Sequence, residues 1–136
     1  MKQTAWAHLP NAKHIDWVLA SAKAHPKKWP AARAAARNTA YDAASDAAWD
    51  ATRTATRTAA RNTAYDAASD AAWYATRTAA WYAADNAIVA LVAYDDCAYM
   101  IESEVDEIKI LAKLGDQKAM LLLPACIVFN KTKELV

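Results

Sequence analysis

From Ala32 to Ala87 the chain repeats a four-residue unit without a gap. Fourteen successive tetrads carry Ala or Thr in both the first and the fourth place. The second place holds Arg, Tyr, Trp or Ser, with Asp85 the one exception, and the third is mostly Asp, Thr or Asn. A longer unit, ARNTAYDAASDAAW, occurs at 36–49 and again at 60–73, a shift of 24 residues. An α-helix advances about 100° per residue, so each tetrad overshoots a full turn by about 40° and the small-residue stripe winds around the helix. Two arrangements accommodate this. A continuous helix can be wrapped by partners with right-handed supercoiling, because the period exceeds 3.6. Alternatively, breaks reset the phase. In both cases paired small residues let neighbouring backbones approach closely, so the stripe predicts tight helix–helix seams that resist added bulk.

Composition supports helices throughout. Ala is the best helix former, Gly115 is the only glycine, and β-branched residues are sparse outside the last thirty positions apart from the repeat's threonines. The expected fold class is all-α: long Ala-rich helices packed through small-residue seams as a helical hairpin or bundle, with short C-terminal helices. A length of 136 residues suits one domain. Within it the sequence separates an N-terminal helical segment (1–29), the tetrad-repeat helices (30–101) and short C-terminal helices (102–136).

Local signals place element ends. Asn11 is expected to cap a helix with apolar positions Ile15, Val18, Leu19 and Ala22, which Pro26 stops. Pro30 is expected at the first position of the next helix. Thr39-Ala-Tyr-Asp42 and Thr63-Ala-Tyr-Asp66 fit a capping pattern, so the tetrad region is either one long helix or a hairpin broken near Asn62-Thr63. Ile88 to Cys97 continue the last long helix. Ser103-Glu-Val-Asp106 reads as a capping box opening a helix through Leu114, with Gly115 in a left-handed cap. Asp116 then caps a final helix from Ala119 to about Leu123, broken by Pro124.

Charges and rings share the repeat. Asp42, Asp46 and Asp50 are spaced four apart, as are Arg53, Arg57 and Arg61, and like charges at that spacing repel within one helix. Opposed across an antiparallel contact they attract. A two-fold centred between Ala51 and Thr52 pairs five such Asp–Arg couples and implies an isologous dimer. A hairpin centred between Thr63 and Ala64 pairs fewer and needs one chain. The Arg and aromatic second places form ladders at Trp49, Arg53, Arg57, Arg61, Tyr65, Trp73, Arg77 and Trp81. These residue types dominate interaction hot spots and also stack on bases, so these eight are the candidate interaction surface. The competing reading is that they shield the seams between Ala-rich helices.

Catalytic and metal patterns are missing from the sequence. His8, His14 and His25 have no metal-ligand spacing, and no Gly-rich phosphate loop or nucleophile elbow occurs. His14 and Asp16 read as a surface pair. Asp95 and Asp96 are adjacent on the chain and do not read as a carboxylate pair. No cofactor is expected. The net charge of +1 gives no global case for a polyanion or a membrane surface. Cys97 and Cys126 sit in apolar settings and read as buried free thiols, which suits a cytoplasmic location. The run from Ala119 to Phe129 is too short to span a bilayer.

The AWDA, TRTA, ARNT and AWYA tetrads, followed by ALVAYDDCAYMIE and LGDQKAMLLLPACIVF, resemble Ala-rich phage and bacterial proteins with AAR and AAW tetrads. Some of those carry an immunity-protein label. The resemblance covers roughly residues 30–130 and implies a phage or bacterial cytosolic setting. The expected function is a non-enzymatic helical interaction protein that self-associates as a homodimer or higher oligomer and binds another protein, such as a host target, as an inhibitor or immunity-type factor. The alternative is a nucleotide or single-stranded nucleic-acid binder using the Arg, Trp and Tyr ladders.

Overall fold

The computed structural model describes residues 4–77 and 80–134, with the side chains of 39–45 and 130–134 outside the description. The fold is all-α. Helices α1 (Ala12–Ala24), α2 (Lys28–Ala55), α3 (Ala59–Thr76) and α4 (Ala80–Ala93) are followed by a 3₁₀ turn (Ala98–Glu102), α5 (Val105–Lys113) and α6 (Gln117–Glu134). Among the described residues there is no strand. The tetrad region is therefore three helices, and the breaks fall elsewhere than at Asn62-Thr63, which lies inside α3. Thr39 likewise lies within α2.

The breaks coincide with Thr-Arg-Thr. Hydroxyls of Thr52, Thr54 and Thr56 donate to the carbonyls of Ala48, Asp50 and Thr52 at 2.8, 3.0 and 2.9 Å. Such back-bonding weakens and bends a helix. After Thr56, Thr58 turns extended (φ −114°, ψ 152°) and its hydroxyl accepts from the Arg61 amide, capping α3. The next TRTA tetrad ends α3, with Arg77 left-handed at φ 50°. A non-glycine residue pays about 1–2 kcal/mol for that conformation.

These breaks solve the drift problem. In α3 the first places Ala64, Ala68, Ala72 and Thr76 are all buried, because over four tetrads the stripe drifts by only about 120°. The longer α2 changes places instead. Ala32 and Ala36 are first places; Ala47, Ala51 and Ala55 are fourth places, and all five are buried. A fourth place lies about 60° behind its own first place, so the exchange cancels about one and a half tetrads of drift.

Helix α4 is the centre. From Ala87 to Val92 it is buried on every side, while Tyr82 near its start is exposed, and it packs against α1, α2, α3 and α6. A helical stretch apolar on every side must be enclosed in this way. Helices α2 and α3 flank α4 and barely meet each other. The hairpin register, with the Asp and Arg ladders facing across an α2–α3 contact, is therefore not formed. Arg57 and Arg61 also lie beyond the end of α2, so the five-couple ladder does not share one helix.

The ends of α4 show how the N-terminal segment is used. Asn11 precedes α1 but makes no side-chain cap there. It is buried, and its amide donates instead to Leu91 O and Tyr94 O, at 2.9 and 2.7 Å. Arg61 donates to Val92 O and pairs with Asp95 at 2.8 Å. Both residues satisfy orphan carbonyls at the α4 C-terminus, and the guanidinium also complements the helix dipole. Ile15, Val18 and Ala22 bury the inner face of α1, with Leu19 half-buried. His14 reaches Glu102 at 3.2 Å, not Asp16, whose carboxylate accepts from the Trp6 indole at 2.9 Å.

The C-terminal zone departs from the expected short helices. Pro30 sits in the first turn of α2 rather than at its first position, and Pro124 lies inside α6 without ending it. The segment Ala119–Cys126 is buried on all sides, so packing against α2, α4 and α5 holds α6 together where the missing amide weakens it. Gly115 (φ 96°) closes α5, with its amide on Ala112 O and the Asp116 amide on Leu111 O. Asp116 caps α6 by accepting from the Ala119 amide at 3.0 Å. The Ser103 capping box does not form, because that hydroxyl bonds back to Tyr99 O. Among the described residues no helix is long and apolar enough to cross a membrane.

Candidate interaction surface

The eight candidate residues separate into five environments. Trp49 stands on the outer face of α2, 65% exposed. Arg53 and Arg57 are exposed, and Arg53 lies 3.7 Å from Asp50 on its own helix. Arg61 is spent on the end of α4, as described. Tyr65 is half-buried in a polar network. Only Trp73 and Trp81 come together, across a corner rather than along one helix, with Arg77 at the end of α3 beside them in the chain.

That corner lies where the C-terminal end of α3 meets the start of α4. Trp73 on α3 and Trp81 on α4 meet edge to face, with ring centres 5.8 Å apart. Tyr82 adds a third ring, 4.8 Å from Trp81. Arg77 lies 5.9 Å from the Tyr74 ring, and Arg33 from α2 lies 6.0 Å from the Tyr82 ring. Trp73, Tyr74 and Tyr82 remain exposed. Sequence reasoning by second places missed the third-place Tyr74 and Tyr82, and it left out Arg33 although Arg33 holds a second place. The signal was present: AWYA, at 72–75 and 80–83, is the one tetrad type with aromatic residues in both middle places.

A polar network fixes the corner from beneath. Asp85, the exception among second places, accepts from the Tyr65 hydroxyl at 3.0 Å and the Ser69 hydroxyl at 2.8 Å. The Trp81 indole donates to Ser69 O at 3.1 Å. Burial pushes the Asp85 carboxyl above the ordinary carboxylate value, against the opposing effect of its two hydroxyl donors. Burial, and then the Asp85 charge, push the Tyr65 phenol up as well. This network ties α3 to α4 and holds Trp81 in one orientation, which presents the rings already ordered.

The charges at the corner are open. Neither Arg33 nor Arg77 has an ion-pair partner among the described residues, and the Arg33 Nε is buried without a hydrogen-bond acceptor. Two acidic groups beyond the α4 end are engaged, Asp95 with Arg61 and Asp96 with Lys118 at 2.9 Å. Lys118 holds the Asp96 carboxyl below its usual range through that bond. Cys97 and Cys126 are both buried, and burial pushes the Cys97 thiol up to about 12. Among the described residues no group of three His, Cys, Asp or Glu side chains could hold a metal ion. Comparison with protein-family models, curated proteins and solved structures gives no match.

Proposed function

We propose that the chain is a non-enzymatic helical interaction protein whose α3–α4 corner contacts another protein. The observation that carries this reading is the convergence of Trp73, Trp81, Tyr82 and Tyr74 with Arg33 and Arg77, neither of which has an ion-pair partner among the described residues. Trp, Tyr and Arg supply most of the binding energy in protein interfaces, and they do so best when their rotamers are held in advance. The Asp85 network supplies that order. The resemblance to Ala-rich phage and bacterial proteins implies a phage or bacterial setting, and the role proposed within it is that of an inhibitor or immunity-type factor toward a host protein.

The experiment compares lysate capture by the parent chain with capture by Trp73→Ala/Tyr82→Ala, after far-ultraviolet spectra show both to be helical. The reading expects a protein retained by the parent and lost with the double variant. Identical capture profiles would remove the corner as the contact surface. Retention of nucleotides or single-stranded oligonucleotides, falling steeply with salt, would favour a nucleic-acid ligand instead.

A further inference from the structure

A second exposed surface carries the opposite chemistry. Helix α5 buries Ile108 and Ala112, yet Ile110 and Leu114, one turn apart, are 58% and 79% exposed. They follow Glu104, Asp106 and Glu107, all exposed and none with an ion-pair partner among the described residues. Lys113 stands at the far end of this ridge. The ridge is thus apolar with an acidic head, whereas the α3–α4 corner is aromatic with two open guanidiniums. The two lie on different elements: α5 packs on α6 and α2, and the corner is made by α3 and α4.

We infer that the α5 ridge of one copy docks on the α3–α4 corner of a second copy. Ile110 and Leu114 would lie against the exposed faces of Trp73, Tyr74 and Tyr82, and the acidic head would meet Arg33 and Arg77. This deepens the reading of the corner as a protein-contact surface and rests on it. Because two different patches meet, the contact is heterologous. The pair keeps one free patch of each kind, a corner on one copy and a ridge on the other, and growth continues past the dimer unless a ring closes. The patches are small, so the association is weak, micromolar or looser.

The test uses the full chain and two surface variants. Tyr74→Ser/Arg77→Glu disables the corner, and Ile110→Ser/Leu114→Ser disables the ridge. All four side chains are exposed, so folding should survive, and far-ultraviolet spectra check it. In sedimentation velocity across a concentration series, the parent should form species beyond the dimer. Each variant alone should weaken that association by at least about tenfold, as loss of hot-spot contacts does. An equimolar mixture of the two variants should form a one-to-one dimer and stop there, since only one intact ridge–corner pair remains per couple. A parent monomeric at every concentration overturns the inference but leaves the corner free for another protein. Loss of association in the corner variant alone, with the ridge variant unaffected, also overturns it and indicates a corner-to-corner dimer. Salt-sensitive capture of a single-stranded oligonucleotide by a monomeric parent overturns both readings.

Discussion

Ala60 and Ala68 are equivalent in the repeat, each the first place of its tetrad, but the fold treats them differently. Ala68 is fully buried on the face that α3 turns toward its neighbours, whereas Ala60 is exposed in the first turn of the same helix. Leu at position 68 adds three carbons to a closed seam. If they found room, their burial would contribute up to about 2.4 kcal/mol at about 0.8 per methylene. In a seam built on alanine contacts the space is taken, and overpacking should instead cost about 1–3 kcal/mol. For a chain of this length that is a fall in melting temperature of about 3–15 °C. Leu at position 60 meets water and has nearly the helix propensity of Ala, so Ala60→Leu should stay within about 0.5 kcal/mol of the parent. Thermal melts of the two variants followed by circular dichroism decide the matter. An Ala68→Leu protein as stable as the parent, or an Ala60→Leu protein equally damaged, would refute the seam argument.

Three further outcomes are expected. Burial raises the pKa of Asp85 in the folded state, so its ionised form costs stability above that pKa and the cost disappears as pH falls toward the unfolded value of about 3.9. Relative to Asp85→Asn, the parent should therefore gain stability on acidification from neutral pH, read as urea midpoints against pH; parallel curves would contradict the burial argument. Asn11→Ala leaves Leu91 O and Tyr94 O without their amide donor and should cost about 1–3 kcal/mol in the same denaturant assay, a cost that an unchanged midpoint would disprove. The buried thiols of Cys97 and Cys126 should resist an aromatic disulfide reagent at pH 8 in the native protein and react in denaturant, and rapid native labelling of either would show that the structure around it opens.

The all-α fold was legible because composition and the four-residue period act locally: Ala favours helix wherever it stands, and a small residue every fourth position can only make a seam. The α1 boundaries, the Gly115 cap and the Asp116 cap were legible for the same reason, since each depends on a few neighbouring residues. The breaks were misplaced. The capping pattern at Thr63 pointed to Asn62-Thr63, whereas the helices end at Thr-Arg-Thr tetrads, and the phase is the one that lets α3 bury Ala64, Ala68 and Ala72. Pro124 was misread because its ring ends an isolated helix, while enclosure of α6 on all sides outweighs one lost hydrogen bond. Asn11 was read as a local cap although its amide serves α4, some eighty residues away in the chain. Which arginines remain open was likewise undecided by the repeat. Arg61 and Arg77 occupy the same second place, and only the packing of α3 along α4 sends one to a helix end and leaves the other beside exposed rings. Sequence periodicity fixes which residues are small, and three-dimensional packing selects which of the equivalent positions are covered, because burial depends on neighbours that the repeat does not encode.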